Sequence, residues 1–451
     1  MIHGAKWSRR ELFAGSAATT LGLVSAGTLA FGQGQRTPGT GVERSPELDQ
    51  FQPAGTPDEA LWHKIRSQFS LRDDLAFLNT GTCGPVPRPV LDVQDHYSRE
   101  LARDPSNNFR GSELSSVRKR LAGFVNASPD EIALTHSTTE GLNLFAHGLD
   151  WKPGDEVLLG TQEHFSAHEA YLWVEKRYGA RIVWVDVPAA PESVEQVVAL
   201  YAKAITPRTK VVVLSEVAYT SGLCLPLKEL CDLAHNRGAL VSVDGAQAFG
   251  VVPLDVKAIG ADHYAAPGQK WLLAGTGTGF SYIRKDVQEQ VWPLTGYVDA
   301  KGSGGKGAPP GNRYERSGQV NIPAAAGIAA AVDFQNAIGK DNIHARSLQL
   351  TGQLRDGLKR IEGVTQVTSS DPRLSAALTV FSIHGVPAQQ ALKWLAEHER
   401  VQIRAIKDGG VDAIRASTHF YNTPQEVDRL LSGVSYLAEH AAQFASPAAS
   451  I

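Results

Sequence analysis

The stretch "SVDGAQAFGVVPLDVKAIGADHYAAPGQKW" (242–271) decides how this chain is interpreted, because it begins on an acid and ends on an isolated lysine. Between Ala258 and Ile283, Asp262 and Lys270 are the only formally charged side chains. A lysine in such a Gly/Ala-rich, apolar run is predicted to be buried, where desolvation lowers its pKa and makes the amine nucleophilic. The alternative is a solvated lysine on a glycine-rich loop.

Around this stretch the chain alternates apolar strand-like runs with helix-like segments. The strand-like runs are 155–160, 181–187, 209–217 and 240–245, and the helix-like segments are 166–180, 192–205 and 226–239. This alternation predicts βαβ units and a parallel sheet with helices on both faces. Residues 340–451 are predicted to form an α+β domain, and the glycine-rich segment 296–318 a long loop at a site or an interface.

Polar residues follow the strand-like runs, where ligands of parallel sheets collect. Asp244 ends one run, and Gln247 lies three residues on. Ser137, Thr138 and Thr139 precede a helix, whose free N–H groups and dipole favour an anion. Each feature alone also suits a helix cap or a structural ion pair. Together with Lys270 they match the needs of pyridoxal 5′-phosphate (PLP): an amine for its carbonyl, an acid for its ring nitrogen and a phosphate cradle.

These motifs resemble the cofactor segment of fold-type I, class V aminotransferase-like PLP enzymes. Two further segments, "FLNTGTCGPVPRPVLD" (77–92) and "IRASTHFYNTPQEVDRL" (414–430), are most similar to the isopenicillin N epimerase-like branch. The resemblance runs from about residue 75 to 440. It implies an α/β fold with a mostly parallel seven-stranded sheet flanked by helices, a smaller C-terminal α+β domain and a homodimer.

The resemblance also implies roles for individual residues. They are Lys270 as the catalytic Schiff-base lysine, Asp244 at the pyridine nitrogen, Gln247 at the phenolic oxygen, Thr138, Thr139 and Gln319 as phosphate or cofactor ligands, His164 stacked on the ring, and Asn79 and Arg415 at the substrate. Four positions depart from the family pattern: Gln269 for a common His, Pro267 for a Ser or Asn, Gln319 for a Thr that reaches the neighbouring subunit's phosphate, and Tyr219 for a smaller polar residue.

The N-terminal residues resemble a twin-arginine (Tat) signal peptide, with Arg9 and Arg10 directly before a weakly apolar Ala/Gly/Thr-rich run. A membrane anchor is the alternative. Export would make the Tat machinery a partner and the periplasm the compartment. We expect a signal peptide at 1–30, a linker at 31–58, an N-terminal arm at 59–95, a large PLP-binding domain at 96–325 and a small domain at 326–451.

Composition excludes some function classes. The net charge of −3 argues against nucleic acid as the main partner. The cysteines, Cys83, Cys224 and Cys231, contain no CxxC motif, so no zinc site is predicted. Cysteine desulfurases of this family need a thiol in the C-terminal third, and none follows Cys231, so that activity is not expected.

The reaction stays open at this point. An α-proton reaction such as epimerisation needs Lys270 as base, either alone or with a second base on the opposite face, which the sequence does not identify. Transamination and C–S lyase chemistry use the same lysine. The resemblance also includes exported enzymes that tailor siderophores of the pyoverdine type. These enzymes carry out an oxidative reaction on a glutamyl residue, and such periplasmic tailoring is a further interpretation. A non-catalytic binding protein on the same fold is disfavoured because Lys270, Asp244, Gln247 and Arg415 are all present.

Overall fold

A computed structural model describes residues 41–106, 111–295, 311–315, 318–408 and 412–444 of the 451-residue chain. The predicted signal peptide and most of the glycine-rich loop 296–318 lie outside these residues. Within the described residues, no helix is long and apolar enough to cross a membrane.

The strands of the described chain are β1 (Ala76–Phe77), β2 (Ile132–Thr135), β3 (Glu156–Gly160), β4 (Arg181–Val185), β5 (Thr209–Ser215), β6 (Leu240–Asp244), β7 (His263–Pro267), β8 (Gly279–Ile283), β9 (Val364–Gln366), β10 (Leu378–Ile383), β11 (Val401–Gln402), β12 (Arg404–Ile406) and β13 (Ala413–Ser417). The α-helices are α1 (Glu59–Arg66), α2 (Arg88–Arg103), α3 (Ser112–Val125), α4 (Thr138–Gly148), α5 (Phe165–Tyr178), α6 (Val194–Ala204), α7 (Leu227–His235), α8 (Val256–Ile259), α9 (Ile322–Ile338), α10 (Lys340–Leu358), α11 (Ala388–His398) and α12 (Pro424–Glu439).

The central sheet has seven strands in the order β2-β8-β7-β6-β5-β3-β4. All neighbouring pairs from β7 to β4 are parallel, whereas β8 runs antiparallel to both β7 and β2. The prediction of a mostly parallel seven-stranded sheet is therefore confirmed. Its strands are continuous apolar runs because both faces are covered: side chains of β5 and β6 alternate between two separate hydrophobic clusters.

A second sheet, antiparallel in the order β12-β13-β10-β9, lies in the C-terminal part and packs against α10, α11 and α12. The predicted α+β character of this part agrees with that arrangement. The domain boundary predicted at residue 325 falls inside α9, an alanine-rich helix that packs on α2 and α3.

The segment predicted as a linker, 31–58, differs from the expectation in its second half. Residues Pro46–Phe51 form a 3₁₀-helix in which Leu48 and Phe51 are buried, at 2% and 0% exposure. They join a hydrophobic cluster with Phe334 and Tyr421. Two apolar side chains at a helical spacing outweighed the Gly/Pro-rich composition around them, so this half of the segment is part of the packed structure.

Candidate active site

Three predicted features converge on one edge of the seven-stranded sheet. Asp244 is the last residue of β6 and pairs in register with Ser215, the last residue of β5. Ser137 caps α4 directly after β2, and Lys270 follows the end of β7 by three residues. Because β2 and β7 both run antiparallel to β8, all these strands deliver their carboxyl ends to the same edge.

Asp244 is a buried acid, with 3% of its surface exposed. Its Oδ1 accepts a hydrogen bond from the backbone N–H of Ala246 at 2.8 Å. Burial raises the pKa of this carboxyl, and the nearby charge of Lys270 acts in the opposite direction. A carboxylate held in such a place gains most from a cationic partner, as a protonated pyridine nitrogen would be.

Lys270 is partly buried. The pKa of its amine is lowered to about 8, chiefly by burial; Asp244 raises it, and the positive charges of Arg415 and Arg404 lower it. The neutral amine, which is the form that attacks a carbonyl, is therefore much more abundant near neutral pH than for an ordinary lysine.

The backbone around this lysine is fixed by distant parts of the chain. The N–H of Gly84 donates to the carbonyl of Gln269 at 2.8 Å, and a Cβ at Gly84 would lie 2.3 Å from the lysine's own carbonyl oxygen. The carbonyl of Trp271 accepts from Gln335 Nε2 and contacts His419 Nε2, each at 2.8 Å. Sequence reasoning did not identify these positioning contacts, since they join segments far apart in the chain.

The predicted phosphate cradle lies at the N-terminus of α4. Ser137 accepts from the N–H of Glu140 at 3.2 Å, as an N-cap does. Thr138 is 7% exposed, and its Oγ1 is buried without a hydrogen-bond partner among the described residues. Thr139 is exposed on the same turn. An unpaired buried hydroxyl beside free helix N–H groups is a fitting environment for a phosphate.

His164 is the N-cap of α5 and lies beside Tyr219, with ring centroids 4.7 Å apart. Its Nδ1 accepts from the N–H of Ser166 at 3.2 Å, which leaves the proton on Nε2. Burial lowers the imidazole pKa to about 4, with the charge of Lys270 adding to the effect. The ring is therefore neutral at physiological pH, as suits a group that stacks on a cationic pyridine.

Gln247 ties the N-terminal loop to the lysine segment. Its Nε2 donates to the carbonyl of Gly81 at 2.9 Å, and its Oε1 accepts from the indole N–H of Trp271 at 3.1 Å. One hydrogen of the Nε2 amide remains for the predicted contact with the cofactor. Asn79 lies in the same loop, where its Oδ1 accepts from the hydroxyl of Thr82 at 2.8 Å.

Arg415 reaches this loop from β13. It is 2% exposed and donates to the carbonyl of Tyr219 at 3.3 Å and to Thr82 Oγ1 at 3.1 Å. Its Nε is buried without a partner among the described residues. Burial, with the nearby charge of Arg404, lowers the pKa of the guanidinium to about 9. A buried guanidinium with unused donors is suited to bind a carboxylate through two hydrogen bonds.

Two of the positions that depart from the family pattern lie beside these groups. Pro267 ends β7, and Gln269 is partly buried with an Oε1 that has no partner among the described residues. Gln319 is exposed next to Val320, which lines a cavity together with Thr135 and Thr278 near the start of α4.

Two buried acids near Asp244 were missed by the sequence reasoning. Glu163 contacts the hydroxyl of Ser215, and Glu216 accepts from the hydroxyl of Tyr264 at 2.5 Å. Burial raises the pKa of Glu163 to about 8 and that of Glu216 to about 7. The signal was available, because Glu216 directly follows an apolar strand, much as Asp244 ends one.

The residues at this edge fit PLP on the structure's own observations. Thr138 offers an unpaired buried hydroxyl at a helix N-terminus, Asp244 a buried carboxylate and Lys270 an amine of lowered pKa. The chain matches the Aminotransferase class-V family over residues 76–430. The chain belongs to this family.

Three relatives illustrate the membership. Isopenicillin N epimerase of Amycolatopsis lactamdurans is 32% identical over 395 residues, which cover 84% of this chain and 99% of that protein. A probable cysteine desulfurase of Methanothermobacter thermautotrophicus is 30% identical, and the match covers 81% of this chain and 95% of that protein. The cystine C–S lyase C-DES, solved with its product cysteine persulfide, is 27% identical with a TM-score of 0.75 and covers 80% of this chain and 98% of its own.

A second structure of C-DES, a mutant, carries glycine linked covalently to its PLP cofactor. This class-V chain is thus a PLP-dependent enzyme of fold type I, and PLP is its cofactor. The relatives include both epimerases and cysteine desulfurases, so membership by itself leaves the reaction open. The exclusion of desulfurase activity stays a prediction.

Proposed function

We propose that this enzyme acts on an amino acid or a peptidyl amine by moving the proton at Cα, in a reaction of the isopenicillin N epimerase type. The observation that carries the proposal is the amine of Lys270, partly buried, with a pKa of about 8, at the edge of the sheet that also holds Asp244. An amine with such a pKa serves as a general base near neutral pH.

Each side chain has a defined task in this proposal. PLP, when bound, supplies an electron sink for the pair left on Cα. Asp244 would keep a proton on the pyridine nitrogen, Lys270 would remove the Cα proton, and Arg415 would hold the α-carboxylate. Inversion then requires a proton to be returned on the opposite face of Cα. The neutral ring of His164 would stack on the cofactor's ring.

Desulfurase chemistry is the reaction that the thiols support least. Burial raises the pKa of the Cys224 and Cys231 thiols to about 12, and it also raises the pKa of Cys83. A sulfur acceptor works as a thiolate, so protonated thiols are poor acceptors. C–S lyase activity needs no thiol and is a second candidate, favoured by the likeness to C-DES. Transamination and pyoverdine-type oxidative tailoring of a glutamyl residue use the same groups.

Incubation with candidate amino acids in deuterated water separates these reactions. Deuterium at Cα without a keto acid is expected for epimerisation. A keto acid derived from the substrate points to transamination, pyruvate with a sulfur product to C–S lyase activity, and oxygen consumption with carbon dioxide release to the oxidative route. Lys270→Ala should abolish exchange, and Lys257→Ala, an exposed lysine in α8, is the matched control. Exchange that survives Lys270→Ala would refute the assignment of the base.

Export and assembly complete the proposal. The twin arginines support transport of the folded protein through the Tat machinery to the periplasm. Cell fractionation of an Arg9→Lys/Arg10→Lys double variant should then find the protein in the cytoplasm, and unchanged periplasmic protein would refute this route.

A homodimer is supported by large apolar side chains left exposed on neighbouring elements. They are Phe165, Leu172 and Trp173 on α5 and Trp184 on β4. Faces of this kind are usually covered by a partner. Sedimentation at micromolar concentration should give twice the monomer mass, and an active monomer would contradict the proposal.

A further inference from the structure

A second arginine lies beside the substrate arginine. Arg404 on β12 pairs directly opposite Arg415 on β13 in the antiparallel register. Like charges directly opposite each other on neighbouring strands destabilise a sheet. Both guanidinium groups nevertheless approach one hydroxyl: Arg404 Nη1 lies 3.5 Å and Arg415 Nη2 lies 3.1 Å from Thr82 Oγ1. The two side chains therefore face the same space beside the N-terminal loop.

The described residues around this space offset its positive charge only in part. Among the residues that the structure describes, neither guanidinium forms an ion pair, although arginines elsewhere in the chain do so. The acidic group on the same side is Asp408, which is exposed and hydrogen bonds to Tyr219. Two guanidinium groups without a direct ion-pair partner among the described residues, at an open site, attract anions.

The two arginines differ in depth. Arg415 is 2% exposed, whereas Arg404 is an exposed residue, so one lies at the base of the space and the other at its mouth. A single α-carboxylate bound at the base uses the donors of Arg415, and the donors of Arg404 stay available further out. A substrate with a second acidic group can use both.

We infer that Arg404 binds a second acidic group of the substrate, so that the site selects amino acids or peptidyl amines with a distal carboxylate. This inference rests on the proposed function, in which Arg415 holds the α-carboxylate. Arg404 is then a specificity-determining residue, and a neutral or basic substrate side chain would leave its charge unpaired.

Unreactive acids test the inference apart from the reaction. Binding of succinate, glutarate and adipate to the holoenzyme is measured by calorimetry and by the visible spectrum of the cofactor, next to the monocarboxylates of the same chain lengths. At least one diacid should bind about tenfold more tightly than its monoacid, the gain expected of one charged hydrogen bond at a partly exposed site.

Variants locate the effect. Arg404→Gln should remove the preference for the diacid and leave the monoacid unchanged, and Arg404→Lys should retain part of it. The matched control is Lys407→Gln, an exposed lysine three residues along the chain that removes the same charge. Equal weakening of both acid classes by Arg404→Gln, or loss of the preference in Lys407→Gln, would overturn the inference.

The two proposals can fail separately. A wild-type protein that exchanges the Cα proton but binds diacids and monoacids equally refutes the second-acid subsite alone. A protein that prefers diacids but exchanges no Cα proton refutes the proposed reaction and retains the subsite.

Discussion

Capture of PLP by the apoprotein should follow the neutral form of the Lys270 amine, with a midpoint near the pKa of about 8. At pH 7 an amine of this pKa is about 9% neutral, whereas an ordinary lysine is about 0.03% neutral. The structure thus predicts that Lys270 is about 300-fold richer in the reactive form than a surface lysine at this pH. The rate should rise tenfold per pH unit below the midpoint and level off above it.

The charges around the amine give this prediction a sign test. Asp244 raises the Lys270 pKa and Arg415 lowers it. Asp244→Asn should therefore move the midpoint to lower pH, and Arg415→Gln should move it to higher pH. The opposite directions exclude a general effect of substitution on the fold.

The assay follows visible absorbance after rapid mixing of apoprotein with PLP, then fixes the bond with borohydride and maps the labelled peptide. N-acetyl-lysine under the same conditions corrects for titration of PLP itself. A midpoint at or above pH 10 would show that burial does not lower the Lys270 pKa. A midpoint that Asp244→Asn raises would show that the carboxylate does not act on the amine as its charge requires.

Three further predictions concern the surroundings of the site. Burial raises the pKa of Glu216 from 4.5 to about 7. Between these two pH values the folded state holds a proton that the unfolded chain has lost, so the free energy of unfolding should fall as pH rises from 4.5 to about 7. Denaturant titrations at pH 5 and pH 8 measure this fall in unfolding free energy, which should be smaller in Glu216→Gln than in the wild type. An equal fall in both proteins would contradict the raised pKa of Glu216. Thr138→Val should weaken PLP binding about tenfold, or about 1.5 kcal/mol, without lowering the stability of the apoprotein. Thr138→Ser, which keeps the hydroxyl, is the control. A loss of apoprotein stability in Thr138→Val would show that the hydroxyl has a structural role instead. A Cβ at Gly245 would lie 2.1 Å from the ring of Tyr264, so Gly245→Ala should destabilise the protein by about 1–3 kcal/mol. A Cβ at Gly123 in α3 would have nothing within 4 Å, so Gly123→Ala should stabilise the protein by about 0.5–1 kcal/mol. Thermal unfolding compares the pair, and equal shifts would refute the steric argument.

The central sheet could be predicted from the sequence because its strands are unusual. Runs such as Val211–Leu214 are apolar at every position, which only a strand covered on both faces requires. The polar residues at their ends are then brought together by topology alone. This explains why Asp244, Thr138 and Lys270 meet at one edge without any pairwise signal between them.

The second sheet shows where such reasoning ends. The pairing of Arg404 with Arg415 depends on the register of two short strands, and their contact with Thr82 joins opposite ends of the chain. Neither fact has a local signature. The burial of Leu48 and Phe51 is similar, since their partners, such as Phe334, lie far along the sequence.

The contacts that fix the lysine loop come from residues that are synthesised at different times. Gly84, Gln335 and His419 all bind the backbone beside Lys270, and His419 leaves the ribosome long after the lysine does. When Lys270 leaves the ribosome, the nascent chain still lacks His419, one of the groups that position the lysine. Such long-range contacts form late and slowly. A chain that ends before His419 therefore contains the lysine but lacks one of the groups that hold its backbone in place.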